Sequence, residues 1–150
     1  MNCESRPVTI LLADDDDDDR LLTKEALVES RVLNDFHCVA DGIELLQYLR
    51  HEGAYKDTQA HPVPNLILLD LNMPRLDGRE ALVQIKADPQ LRSIPVIVLT
   101  TSKAEEDMLR AYELGAASFI TKPVTFEKLV ELMKSLGRYW IEFVELPHRK

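Results

Sequence analysis

The chain has 150 residues, of which 45% are hydrophobic and 29% charged, and its 26 acidic and 18 basic residues give a formal net charge of -8. That length suits one domain built on a single core. The acidic balance argues against general nucleic-acid or anionic-membrane binding, which need a positive field, and favours a metal cation or a basic partner surface.

Residues 8–13 form a short continuous apolar run that leads into six consecutive aspartates, Asp14 to Asp19. Leu21, Leu22, Ala26 and Leu27 give the helix that follows an apolar face. Residues 36–40 read as a weaker strand. Asp41 with Glu44 three positions on has the form of a capping box, in which a carboxylate satisfies the orphan N–H groups of a helix start. Residues 50–64, with Gly53, Pro62 and Pro64, read as a long surface loop. Residues 66–70 are a second continuous apolar run ending in Asp70. Asp77 with Glu80 opens another helix. Residues 94–100 are a third apolar run, ending in Thr100, and Ser102 with Glu105 has the same capping form. Gly115 fits a helix stop. Residues 117–121 are a weaker strand. The last helix starts after Thr125, and its apolar residues from Phe126 through Met133 to Trp140 and Phe143 recur at spacings of three and four until Pro147.

Strands without polar alternation are buried on both faces, which is the mark of a parallel sheet covered by helices. The β-α order, repeated about five times, predicts an α/β domain with right-handed crossovers. No apolar run approaches the ~20 residues that span a bilayer, and residues 1–7 are polar and lack a signal-peptide core. Cys3 and Cys38 offer neither metal spacing nor a disulfide framework, and they read as reduced thiols in a cytoplasmic protein.

In such a sheet the functional crevice lies outside the carboxyl ends of the strands. Those ends carry Asp14 and Asp15, then Asp70, Thr100 and Lys122. Three crowded carboxylates repel one another unless a cation intervenes. A hard divalent ion with oxygen ligands resolves this, and Mg²⁺ leaves room for a phosphoryl oxygen. A carboxylate beside it can act as nucleophile and form an aspartyl phosphate. Lys122 and the Thr100 hydroxyl would then stabilise the phosphoryl oxygens.

These residues resemble a response-regulator receiver domain of two-component signalling. The matching pieces are Asp14-Asp15, Asp70-Leu71-Asn72-Met73-Pro74 followed by Asp77-Gly78, Thr100, and Lys122-Pro123. The resemblance runs from about residue 8 to 136 and implies a single receiver domain over 1–150, with an extended last helix and tail. It implies a flavodoxin-like, doubly wound, five-stranded parallel sheet of order 2-1-3-4-5 with helices on both faces. It also implies roles: Asp70 is the phosphoacceptor, Asp14 and Asp15 bind Mg²⁺, and Asn72 lends the metal a backbone carbonyl. Thr100 contacts the phosphoryl group and moves on activation, Lys122 pairs with Asp70 and then its phosphate, and Phe119 is the aromatic switch. The Lys122-Pro123 peptide is expected to be cis.

Such a protein is no enzyme with a separate substrate, but a switch that assists its own phosphorylation and dephosphorylation. The phosphodonor is a sensor histidine kinase, and with no DNA-binding output domain the signal leaves through a downstream protein. A narrower resemblance, carried by the long loop, residues 78–80, residues 86–95 and the tail 139–147, is to single-domain regulators paired with phytochrome-type kinases. Those relatives commonly dimerise, so a homodimer is expected. Asp16 to Asp19 read as solvated charge that suits the helix dipole. An aspartyl-nucleophile phosphatase would need an acid/base aspartate where Asn72 stands, and a nucleotide or flavin site would need a glycine-rich first turn where the aspartates stand.

Overall fold

The computed structural model describes residues 8–31 and 34–139. Five strands alternate with helices: β1 (Val8–Ala13), α1 (Asp17–Glu29), β2 (Asn34–Val39), α2 (Gly42–Arg50), β3 (Leu66–Leu69), α3 (Gly78–Ala87), β4 (Val96–Thr100), α4 (Glu105–Glu113), β5 (Ser118–Thr121) and α5 (Phe126–Leu136). All strand pairs are parallel, in the order β2-β1-β3-β4-β5. This is the flavodoxin-like fold expected from the sequence.

The period of two along each strand divides the core into two layers. Leu11, Ala13, Ile67, Leu69, Val96 and Val98 face one way, with Leu45, Leu49, Leu82 and Ile85 from α2 and α3. Ile10, Leu12, Leu66, Leu68, Ile97 and Leu99 face the other, with Ala26, Leu27, Leu129 and Met133 from α1 and α5. The strand order reverses between β1 and β3, so their carboxyl ends border the crevice where such sheets bind ligands.

Three helix starts match the sequence reading. Asp41 Oδ1 accepts from Glu44 N at 2.9 Å, Asp77 Oδ1 from Glu80 N at 3.1 Å, and Thr125 Oγ1 from Lys128 N at 3.2 Å. Gly115 follows α4 with φ +106°, a conformation that disfavours any side chain. Three details differ. Ser102 is not a cap: α4 starts after Ala104, and Ser102 Oγ donates to Asp107 instead (2.6 Å). The buried stripe of α1 is Thr23, Ala26 and Leu27, whereas Leu21 and Leu22 are exposed. The loop after α2 holds a 3-10 turn (Gly53–Tyr55) and is packed through Tyr48, Tyr55 and His61, with the Tyr48 hydroxyl donating to Pro62 O at 2.9 Å. Among the described residues no helix is long and apolar enough to cross a membrane. Trp140, Phe143 and Pro147 lie outside the described residues, as does the apolar tail behind the homodimer expectation.

Candidate functional site

The sheet ladder continues one step past three strand ends and anchors the backbones of Asp14, Asp70 and Lys122. Asp14 N donates to Val39 O (3.1 Å), Asp70 N to Ala13 O (3.0 Å) and Lys122 N to Thr100 O (2.8 Å). The functional side chains therefore leave rigid strand tips.

Lys122 is the hub. Its Nζ lies 2.6 Å from Asp14 Oδ2, 2.9 Å from Asp19 Oδ2 and 3.1 Å from Asp70 Oδ2. Asp14 and Asp70 are buried. Burial opposes the Lys122 charge, but the Asp14 and Asp19 hydrogen bonds and the Asp14 and Asp70 fields more than offset it, so its pKa is held above the ordinary lysine range. Burial pushes the Asp14 carboxyl up, further than the hydrogen bonds from Lys122 and Asp16 N pull it down.

Asp14, Asp15 and Asp70 each offer a carboxylate oxygen, and these atoms lie within 4.8 Å of one another, with Asp15 exposed to solvent. An all-oxygen, partly solvated donor set fits a hard divalent cation that keeps some of its waters. The acidic pocket can thus hold a divalent metal, and the sequence reading named its three carboxylates. Asn72 N donates to Asp70 Oδ1 at 3.3 Å, which leaves Oδ2 on the Lys122 side.

The β3–α3 connection is held against the site by two close approaches. A Cβ on Gly78 would lie 2.3 Å from Asp70 O, and one on Gly42 would lie 2.1 Å from Leu76 O. Only glycine lets the backbones meet there. Arg75 clamps the same connection to the start of α2, with Nε 2.9 Å from Asp41 Oδ2 and Nη2 3.1 Å from Asp41 Oδ1. Burial alone would raise the Asp41 carboxyl, but Arg75 and the Glu44 and Ile43 N–H groups outweigh it and hold it below the usual carboxylate range.

Thr100 is fully buried, and its Oγ1 accepts from Ser102 N at 3.4 Å. The next turn is tied down by Asp107, which accepts from Ser102 Oγ at 2.6 Å and pairs with Arg79 Nη2 at 2.8 Å. The Ser102 and Arg79 hydrogen bonds together lower the Asp107 pKa. Phe119 is half-buried against the α2–α3 layer, with its backbone N–H on the Tyr112 hydroxyl at 3.1 Å.

One expectation is corrected. No peptide bond among the described residues is cis, so Lys122-Pro123 is trans. The two isomers of an X-Pro bond differ by only about 0.5–1 kcal/mol, so the dipeptide by itself does not select one. One site residue was missed. Asp19 reads as solvated charge in an aspartate run, yet its carboxylate is on Lys122. The available signal was helical phase: Asp19 stands four residues before Thr23 and seven before Ala26, on the buried stripe of α1.

A profile of the response regulator receiver domain matches residues 10–134. The response regulator Rcp1 of Synechocystis sp. is 40% identical over 148 residues, covering 98% of this chain and 99% of that protein. The crystal structure of the phosphorylated cyanobacterial phytochrome response regulator RcpA superposes with a TM-score of 0.88 at 40% identity, over 95% of this chain and all of that one. The Mn²⁺-bound form of Rcp1 gives 0.84 at 39% identity, again over 95% and 100%.

Proposed function

Because this chain belongs to the response regulator receiver family, we propose that it is a phosphorylation-dependent switch whose Asp70 accepts a phosphoryl group from a sensor histidine kinase with Mg²⁺. The observation that carries this reading is the Lys122 ammonium bridging the buried Asp14 and Asp70 carboxylates, beside a three-carboxylate pocket at the reversal point of the sheet.

An Asp70 carboxylate oxygen attacks phosphorus as the bond to the donor imidazole breaks, and the imidazole leaves with that electron pair. Asn72 N–H holds Asp70 Oδ1, so the carboxylate is oriented before the donor arrives. Lys122 supplies fixed positive charge for the oxygens of the transferring group, and the buried Thr100 hydroxyl is a hydrogen-bond donor for one of them. Mg²⁺ held by Asp14, Asp15, Asp70 and the Asn72 carbonyl would add a second positive charge there. In hydrolysis water attacks phosphorus, the phosphorus–oxygen bond to Asp70 breaks, the Asp70 carboxylate leaves with the electron pair, and inorganic phosphate is released. Phe119 serves as the switch that reports the movement of Thr100 to the surface.

The donor in this reading is a phytochrome-type kinase, on the strength of the similarity to RcpA and Rcp1. The single receiver domain takes up residues 1–150, with its core at about 8–136, and works in the cytoplasm. It signals to a downstream protein and forms a homodimer.

The test is incubation with acetyl phosphate and Mg²⁺, read by intact mass. The wild-type chain should gain one acid-labile phosphoryl group, chelation should abolish it, and Asp70→Asn should take none. Undiminished labelling of Asp70→Asn overturns the assignment.

A further inference from the structure

An ammonium group has three N–H donors and no acceptor. In Lys122 three carboxylate oxygens surround it, those of Asp14 (2.6 Å), Asp19 (2.9 Å) and Asp70 (3.1 Å), so no donor is left over. The three acceptors are not equivalent. The Asp14 and Asp70 side chains are 1% and 9% exposed, and both belong to the acidic pocket. The Asp19 side chain is 37% exposed and lies outside that pocket. It projects from the first turn of α1, whose rotation is set by the Thr23, Ala26 and Leu27 stripe. A cavity of about 120 Å³ lined by Asp19, Lys122, Leu22, Pro123 and Phe126 opens on this side of the ammonium.

We propose that Asp19 is a positioning residue that competes with the phosphoryl group for Lys122, and so lowers the extent to which the protein stays phosphorylated. The proposal rests on Asp70 being the phosphoacceptor. Transfer from acetyl phosphate breaks the phosphorus–oxygen bond to acetate, which leaves with the electron pair, and forms a phosphorus–oxygen bond to Asp70. The Asp70 carboxylate, with one negative charge, becomes a group with about two. Lys122 must turn a donor toward the new oxygens. Asp19 resists in two ways: it holds the ammonium in the resting state, and its own charge repels the added one. Removing the Asp19 charge acts on both terms in the same direction.

The neighbouring aspartates provide the control. Asp16 caps α1 through Asp18 N and Asp19 N, and Asp17 pairs with Arg20. The Asp18 side chain is exposed on the same turn and makes no contact with Lys122. Asp18→Asn therefore changes net charge and helix-dipole balance as Asp19→Asn does, without touching the ammonium.

The experiment compares wild type, Asp18→Asn and Asp19→Asn at saturating Mg²⁺ and limiting acetyl phosphate, measuring the phosphorylated-to-free ratio at steady state and the loss of label after the donor is removed. A partly exposed ion pair is worth up to about 1 kcal/mol, which converts to a factor of roughly two to five. Asp19→Asn is expected to raise the ratio by about that factor, and Asp18→Asn to stay within about 1.5-fold of wild type. Exchange of the Lys122 ammonium protons with water, followed by NMR on unphosphorylated protein, should be faster in Asp19→Asn alone. Equal ratios in the two variants, or a lower ratio in Asp19→Asn, overturn the competition while Asp70 remains the acceptor. A wild-type chain that takes no label overturns the phosphoacceptor reading and the competition with it.

Discussion

Gly78 tests how the fold aims Asp70. In Gly78→Ala the new Cβ would lie 2.3 Å from Asp70 O and 2.8 Å from Leu71 Cα, where ordinary contact begins at 3.4 Å. The shortfall is about 1 Å, and both neighbours are backbone, so no flexible side chain can give way. Overpacking of this kind costs about 1–3 kcal/mol. The shift needed to relieve it also stretches the bond from Gly78 N to Leu71 O, now 2.8 Å. Weakening that bond adds about 0.5–1.5 kcal/mol. Alanine's better helix propensity returns at most about 1 kcal/mol. The expected net loss is about 2–3 kcal/mol. In urea, with a slope near 2 kcal/mol/M, the midpoint should fall by about 1–1.5 M with the slope unchanged. Because the atom displaced is the Asp70 carbonyl, the affinity of the acidic pocket for a divalent cation should fall as well. A variant within about 0.5 kcal/mol of wild type would refute the close-approach argument.

Two further substitutions probe the loops around the site. Arg75→Ala should raise the Asp41 pKa toward 3.8 in an NMR titration. A carboxylate with a depressed folded pKa contributes stability that is present above its unfolded value and is lost as pH falls through its folded value, so wild type should lose stability in acid more steeply than Arg75→Ala. Matching slopes would contradict the clamp. Arg79→Ala removes one of the two partners of Asp107 and should speed amide exchange at residues 101–104, between Thr100 and α4. Unaltered exchange there would mean that the ion pair does not restrain the turn.

The element order, the two-layer core and the acidic, hydroxyl and amine groups at the strand ends follow from the sequence by itself. Continuous apolar runs such as residues 66–69 have no polar face to expose and so must be covered on both sides. Once the strands are parallel, the residues following them share one edge, which is why Asp14, Asp15, Asp70, Thr100 and Lys122 were legible as a set. Capping was legible where the acceptor is local, as at Asp41 and Asp77. It failed at Ser102, whose hydroxyl is drawn to Asp107, which is itself paired with Arg79 from α3.

Tertiary structure alone decided the rotation of α1. Leu21 and Leu22 are as apolar as Leu27, and a helix with apolar residues on several sides can turn more than one way. Packing Thr23, Ala26 and Leu27 against the sheet brings Asp19 onto Lys122, a partner 103 residues away. That pairing separates Asp19 from the other aspartates of its run. Helical phase puts Asp19 on the side of α1 shared with Thr23 and Ala26, but it does not name the partner, which is set by a long-range contact between the start of one helix and the end of the last strand.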